Sequence, residues 1–438
     1  MNAGINDRSH WLMGYGTSRA TLKLLARRGD PFAQLLIDTS QPERVYHLVE
    51  QIRQRGRISA VVGNGWVTAD AQIARNVLRD GRFRTVKPRD RSPFRAVQWM
   101  LAKTNPGVLN PLEPPSLLVV DPPEHARLRR LVSRAFTPRA LDGLRDRIRE
   151  IADTLLNDLD DNTHCDLVAN YTSRIPIEVI AEMLGIPRDE TSLLDGFADP
   201  GTKLLTSTAP SWREFRTAMA ALGEFEHYLA MHIERLRHGG GDHSILSAVL
   251  QEDSDLTDAE VRMFAGLLLG AGFITTTHAF GNAVVALVDH PDQLARLQSK
   301  PEGWPNAVEE VLRYNSVIQV GVRVATETLQ LDGHTVSAGA AVFLLVGGAN
   351  RDPAIFECPD EFDTARVNAR DHLGFGTGIH VCLGAALARL ELHIGLQALF
   401  ERFPELAVAG EPTLNNSSLL HGFKHLPVNL GPTRVNTG

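Results

Sequence analysis

Phe375-Gly376-Thr377-Gly378-Ile379-His380-Val381-Cys382-Leu383-Gly384 is the stretch on which the reading of this chain turns. Gly376 and Gly378 stand just ahead of the cysteine, where they permit backbone angles closed to residues with a Cβ. The following residues, 383–403, read as a helix, so Cys382 falls at a helix N-terminus. Free N–H groups and the helix dipole there favour a thiolate. A thiolate held by backbone donors in an apolar loop is what a haem-thiolate iron requires. The plainer alternative is a buried, inert cysteine beside a glycine turn. That alternative is the reading for Cys165 and Cys358, which have no such setting.

Outward from this loop, helical patterns dominate. The longest covers 257–289 and opens on Thr257-x-x-Glu260, a capping box. At 1.5 Å per residue it spans roughly 50 Å, and it is apolar nearly all round, which predicts burial. Another helix covers 211–237 and stops at Gly239-Gly240-Gly241. The pattern from 124 to 195 is helical, broken by Pro138, Pro176 and Pro187, and 17–28 reads as an amphipathic surface helix. Strand-like runs occur at 57–67, with Gly63-Asn64-Gly65 as a turn, and at 320–326, 328–331 and 341–346. Residues 419–428 read as a hairpin. The proline-dense stretch 105–123 reads as a long loop of the kind that forms lids. These elements predict a mainly α fold with small segregated β-sheets (α+β), as one domain over 1–438.

Composition narrows the function. The chain has 438 residues, a net charge of −7 and a pI near 6.2, which argues against a general nucleic-acid binder. Three widely spaced cysteines exclude a disulfide framework and a clustered zinc site, and fit a cytoplasmic protein. The start of the chain lacks a signal-peptide pattern. The longest apolar runs, 264–274 and 339–349, fall short of the roughly 18–20 residues a spanning helix needs, so no membrane span is expected.

Three further groups carry chemistry. Glu310 and Arg313 are i, i+3 on one helix face and can pair. His125 and Arg129 are i, i+4 and face one way, either as a solvated helix face or as donors to a ligand. In the long helix, Gly270-Ala271-Gly272-Phe273-Ile274-Thr275-Thr276 contains a glycine that costs about 1 kcal/mol in a helix interior. Small residues there allow either a close helix–helix contact or the approach of a flat ligand.

The cysteine loop resembles the haem-ligand signature of the cytochrome P-450 family, and Ala385-x-x-Ala388-Arg389-Leu390-Glu391 continues it. The other motifs follow in the family's order over nearly the whole chain, which looks like the soluble bacterial branch. The resemblance implies the cytochrome P-450 fold and haem b (iron protoporphyrin IX), with Cys382 as iron ligand amid Phe375, Gly376, His380 and Gly384. It puts His125, Arg129, Arg323 and His380 at the propionates and Ala271 and Gly272 against the macrocycle. Thr275, with Thr276, would handle protons at the reacting oxygen, and Glu310–Arg313 would be the structural pair that braces the loop.

Two departures stand out. Where many members place an Arg in Pro-x-Arg-Phe, this chain has Pro359-Asp360-Glu361-Phe362, so the third member of the pair's network is another residue or is absent. The family's proton-relaying carboxylate is replaced by Ile274, which can neither donate nor accept a proton.

The implied activity is a monooxygenase that hydroxylates or epoxidises a small lipophilic substrate, polyketide, macrolactone or lipid-like, using O₂. Electrons would come from a ferredoxin and its ferredoxin reductase, docking on Arg127, Arg130, Arg134 and Arg389. Alternatives are a peroxide-driven or coupling haem-thiolate enzyme, motivated by Ile274, and a non-catalytic haem-binding protein. The substrate pocket would draw on 92–118, Leu267, Phe273, 317–322 and 419–421, with Gln319 and His421 as polar anchors.

Overall fold

The most apolar helical stretch organises the rest of the chain. Thr257 starts it: its Oγ1 accepts from the Glu260 N–H at 3.3 Å, and Glu260 Oε2 accepts from the Thr257 N–H at 2.8 Å. The run Asp258–Asp289 that follows is 32 residues long and, by length and composition alone, apolar enough to cross a membrane. Here it is the central helix of the core, packed against the helices Arg174–Leu184, Trp304–Tyr314 and Ala385–Arg402. The expected single α-helix is interrupted. Residues Leu268–Gly272 form a π turn between the α segments Asp258–Leu267 and Phe273–Asp289, and such turns insert one extra residue and concentrate at functional sites.

The computed structural model describes residues 2–37, 42–87, 95–105, 107–133, 136–160, 163–201, 203–207, 209–238, 244–251, 256–415 and 417–432. Helices form most of it, and four small sheets lie apart from the bundle. The largest has the strand order Ser59–Val61, Gly65–Thr68, Ala341–Leu345, Val320–Ala325, Phe83–Arg84, and only the Gly65–Thr68 with Ala341–Leu345 pairing is parallel. This is the expected mainly α architecture with segregated sheets.

Several boundaries differ from the sequence expectation. The 124–195 stretch contains a strand, His164–Asp166, which pairs with Pro427–Asn429; so short a segment gains its strand character only from a distant partner. Pro176 does not break a helix. It occupies the first turn of Arg174–Leu184, where its missing N–H has no intrahelical partner to lose. The 419–428 segment is not a self-contained hairpin: Phe423–His425 pairs back to Thr413–Leu414, while Pro427–Asn429 joins another sheet beside Ala407–Val408. The Gly239–Gly241 stop lies outside the described residues.

Candidate active site at the cysteine loop

The backbone of the loop is set by its glycines. Gly376 and Gly378 have φ of +65° and +76°, and a Cβ on Gly378 would fall 2.5 Å from the Leu78 carbonyl oxygen. Both the conformation and the close approach therefore require glycine at 378. The Cys382 N–H closes the loop onto the Phe375 carbonyl at 2.9 Å. Gly384 then serves as N-cap of the helix Ala385–Arg402, and its N–H reaches the Cys382 sulfur.

The expected thiolate-favouring setting is only part of the balance at Cys382. Burial pushes its thiol up, and this outweighs the Gly384 N–H and the charges of Arg129 and Arg389, which pull the other way. A metal ion would reverse that outcome, because a coordinating thiol is deprotonated outright. Cys382 nevertheless remains surface-accessible.

Close to Cys382 lies a group of basic side chains that lack anionic partners among the described residues. His125 and His380 approach with ring centroids 4.2 Å apart, and the Nε2 of each is buried with no hydrogen-bond partner. Arg323 donates only to its neighbour, the Val322 carbonyl, at 2.9 Å. Among the described residues neither Arg323 nor Arg129 has a carboxylate within ion-pair range. Burial lowers the pKa of both guanidinium groups, with Asp121 opposing this at Arg323 and Cys382 at Arg129. At His380, burial and then the charges of His125 and Arg323 push the imidazole down to about 4. Buried donors left unpaired are costly. A porphyrin offers two carboxylates, which would satisfy these four residues with charge-assisted bonds, so the donor set fits haem. Val132, Phe264, Leu268 and Leu383 share one apolar cluster, which joins the His125–Arg129 helix, the central helix and the cysteine loop.

On the central helix, Thr275 Oγ1 donates to the Ala271 carbonyl at 2.7 Å, across the end of the π turn. Gly272 packs against Ile180; a Cβ there would lie 3.0 Å from Ile180 Cδ1. Thr276 is buried, and Ile274 belongs to the apolar core with 9% of its surface exposed. The acid position is thus filled by core packing.

Glu310 and Arg313, both with fully buried side chains, form a bidentate pair at 2.7 and 2.8 Å. The third member of this network is Arg366. Its Nε meets Glu310 Oε1 at 3.1 Å, and its other nitrogens donate to the carbonyls of Glu357, Cys358 and Glu361. Arg366 stands five residues past Glu361, and nothing in the local pattern singled it out. A neighbouring network was also missed: Glu309, one residue before Glu310, binds Arg389 and His372. A third residue missed was His278, buried in the central helix three residues after Thr275.

The expected basic docking patch is largely neutralised. Arg127 pairs with Glu260 and Arg389 with Glu309, so Arg130 is its exposed member, while Arg134 lies outside the described residues. Gln319 is also not free as an anchor, since its Nε2 donates to the Ser316 carbonyl at 2.5 Å. The cavity it shares with His421, Asn415 and Ser417 holds about 10 Å³, which is room for one water. Backbone bonds Gln319 N–H to Leu419 O and His421 N–H to Val317 O, at 2.8 and 2.7 Å, join the 317–322 and 419–421 segments expected to wall the pocket.

A helical core that carries a cysteine loop beside His125, Arg129, Arg323 and His380 suits a haem-dependent oxidoreductase. The cytochrome P450 family model matches residues 305–423. Over 437 residues the chain is 37% identical to the putative cytochrome P450 140 of Mycobacterium tuberculosis, covering 98% of this chain and 99% of that one. It is 40% identical over 325 residues to the vitamin D(3) 25-hydroxylase of Pseudonocardia autotrophica, covering 73% and 78%. The solved ligand-free CYP164A2 of Mycobacterium smegmatis has a TM-score of 0.81 at 33% identity, covering 91% of this chain and 99% of that one. The chain belongs to the cytochrome P450 family. It is an oxidoreductase of the monooxygenase class, with iron protoporphyrin IX as cofactor.

Proposed function

We propose that this chain, as one haem-binding domain over 1–438, oxygenates a sizeable lipophilic molecule with O₂ and electrons from a ferredoxin, with Cys382 as the iron ligand. The observation that carries the site assignment is the pair of buried, unpartnered Nε2 atoms of His125 and His380, with Arg129 and Arg323 beside them lacking a carboxylate partner among the described residues. When bound, haem supplies the activation of O₂ and the insertion of oxygen into a C–H or C=C bond. The protein residues do the rest. Cys382 supplies the anionic ligand, its sulfur steadied by the Gly384 N–H. The two histidines and two arginines fix the cofactor's carboxylates and so its orientation. Gly272 lets the central helix pack closely on Ile180, and Thr275 would offer its hydroxyl on the distal side, where it now donates to the Ala271 carbonyl. Because Ile274 carries no proton, Thr275 and Thr276 are the hydroxyl side chains in this segment that could pass one. The vitamin D(3) 25-hydroxylase relative supports a lipophilic substrate class, as does the apolar stretch Leu267–Phe273.

The test is spectroscopic. Reduced protein with carbon monoxide is expected to show the strongly red-shifted Soret band of a thiolate-ligated haem, and Cys382→Ala to abolish it. An unchanged band in that variant overturns the ligand assignment. A panel of fatty acids, sterols and macrolactones, read by the shift of the ferric Soret band, tests the substrate class. Turnover that depends on peroxide and not on a reductase would favour the peroxide-driven alternative instead.

A further inference from the structure

Beside the Glu310 network lies a second buried carboxylate that the established chemistry does not use. Glu309 is 1% exposed, yet it is ionised. Burial pushes its carboxyl up, but hydrogen bonds from His372 and Arg389 outweigh this and hold it at about 2. Arg389 grips it with both ends of its guanidinium, Nε to Oε1 at 2.7 Å and NH2 to Oε2 at 3.0 Å. Arg370 adds a longer contact at 3.4 Å from an exposed position.

The network reaches the cysteine loop by two routes. His372 Nδ1 accepts the Gly374 N–H at 3.0 Å, so the ring proton sits on Nε2, which donates to Glu309 Oε2 at 3.1 Å. Gly374 leads directly into Phe375. The Arg389 guanidinium also lies over the Phe375 ring, 4.5 Å from its centroid, within cation–π range. Phe375 in turn accepts the Cys382 N–H through its carbonyl at 2.9 Å. Arg389 is therefore one of two guanidinium charges, with Arg129, that act on the Cys382 sulfur.

We propose that Arg389, clamped by Glu309, is a positioning residue that holds its charge against Phe375 and thereby sets the electron affinity of the haem bound at Cys382. The proposal rests on Cys382 being the iron ligand. Two opposite charges are fixed here in a definite order, with the cation on the loop side and the carboxylate behind it. A cation near the haem favours the reduced state; an anion disfavours it.

The charge order gives predictions of opposite sign, which a purely structural brace would not. In haem-loaded full-length protein, Arg389→Gln is expected to lower the equilibrium constant for ferric-to-ferrous reduction by about threefold to tenfold, tenfold being about 59 mV for a one-electron couple. Glu309→Gln leaves the Arg389 charge unopposed and is expected to raise the constant by a similar factor. Arg389→Lys keeps the charge and loses the fork; it should stay within about twofold of wild type while its thermal stability falls. In a Phe375→Leu background the effect of Arg389→Gln should shrink, because the charge acts across the ring. Redox titration with the Soret band as readout measures all four. Shifts of Arg389→Gln and Glu309→Gln in the same direction overturn the proposal, as does a Lys variant shifted as far as the Gln variant. Changes under twofold in both Gln variants, with lowered stability, would also overturn it and leave a brace alone. If Arg389→Gln does not retain haem, the Glu309→Gln and Arg389→Lys pair decides by the same criteria. Absence of the red-shifted carbon monoxide band in wild type would instead refute the Cys382 ligation on which the proposal rests.

Discussion

Replacing Arg366 by alanine tests the network that stands where the sequence showed only Glu361. Arg366 makes four hydrogen bonds from a site 9% exposed: one to Glu310 Oε1 at 3.1 Å, and three to the carbonyls of Glu357, Cys358 and Glu361 at 2.6, 3.2 and 2.9 Å. Two of those carbonyls also receive other bonds: Cys358 O from the Glu361 N–H, and Glu361 O from Arg313. Cys358 sits at φ +44°, a conformation that a non-glycine residue keeps only when its surroundings hold it. Removing one partner of a buried ion pair costs about 3–5 kcal/mol. Glu310 keeps Arg313 and the Asp363 N–H at 3.0 Å, so the lower end applies and Arg366→Ala should cost about 3 kcal/mol. Arg313→Ala, which strips both carboxylate oxygens of Glu310 of a donor, should lie at the upper end, about 5 kcal/mol. Glu361→Ala is the control. Glu361 contributes its backbone carbonyl, which alanine retains, and its exposed side chain should be worth no more than about 0.5 kcal/mol. The assay is urea unfolding followed by far-UV circular dichroism, with haem retention read in parallel from the Soret band. Equal midpoints for Arg366→Ala and Glu361→Ala would refute the assignment of Arg366 as the third member.

Three other outcomes are expected. Ile274→Glu should raise the product formed per electron consumed by supplying the missing proton carrier, whereas Thr275→Ala should lower it; equal coupling in wild type and Thr275→Ala would show that protons arrive by another route. His278 and His421 are both held near 4 by burial, and His421 further depresses His278. Both groups have depressed folded-state values, so the stability present above their unfolded value of about 6.5 is lost as pH falls toward 4, at roughly 1.4 kcal/mol per pH unit for each proton taken up. His278→Gln should flatten that slope, and an unchanged profile of urea midpoint against pH would contradict the reasoning. Charge reversal at exposed Arg130 should slow reduction by an acidic ferredoxin and weaken its salt dependence without moving the haem spectrum; stopped-flow rates insensitive to both would put the docking surface elsewhere.

The sequence by itself was enough for whatever depends on neighbours along the chain. The cysteine loop was legible because its two left-handed glycines, Gly376 and Gly378, and Cys382 lie within seven residues of one another. The Thr257 capping box, the Glu310–Arg313 pair and the i, i+4 placement of His125 and Arg129 are likewise local, set by helical repeat alone. The strand runs at 320–326 and 341–346 announced themselves by apolar β-branched residues, but their parallel and antiparallel partners did not.

Only the tertiary structure decided which charges are spent. Arg366 reaches Glu310 across 56 residues and Arg389 reaches Glu309 across 80, separations at which no periodicity speaks. Arg127 and Arg389 look like a free basic surface in the sequence, yet each is tied to a carboxylate brought in by another helix. The π turn at Leu268–Gly272 and the thiol of Cys382 make the same point from the backbone and from solvation. Helix propensity cannot show where a helix will widen. A cysteine's place at a helix N-terminus also cannot show how strongly burial will oppose its ionisation, because burial is a property of what the rest of the chain packs around it.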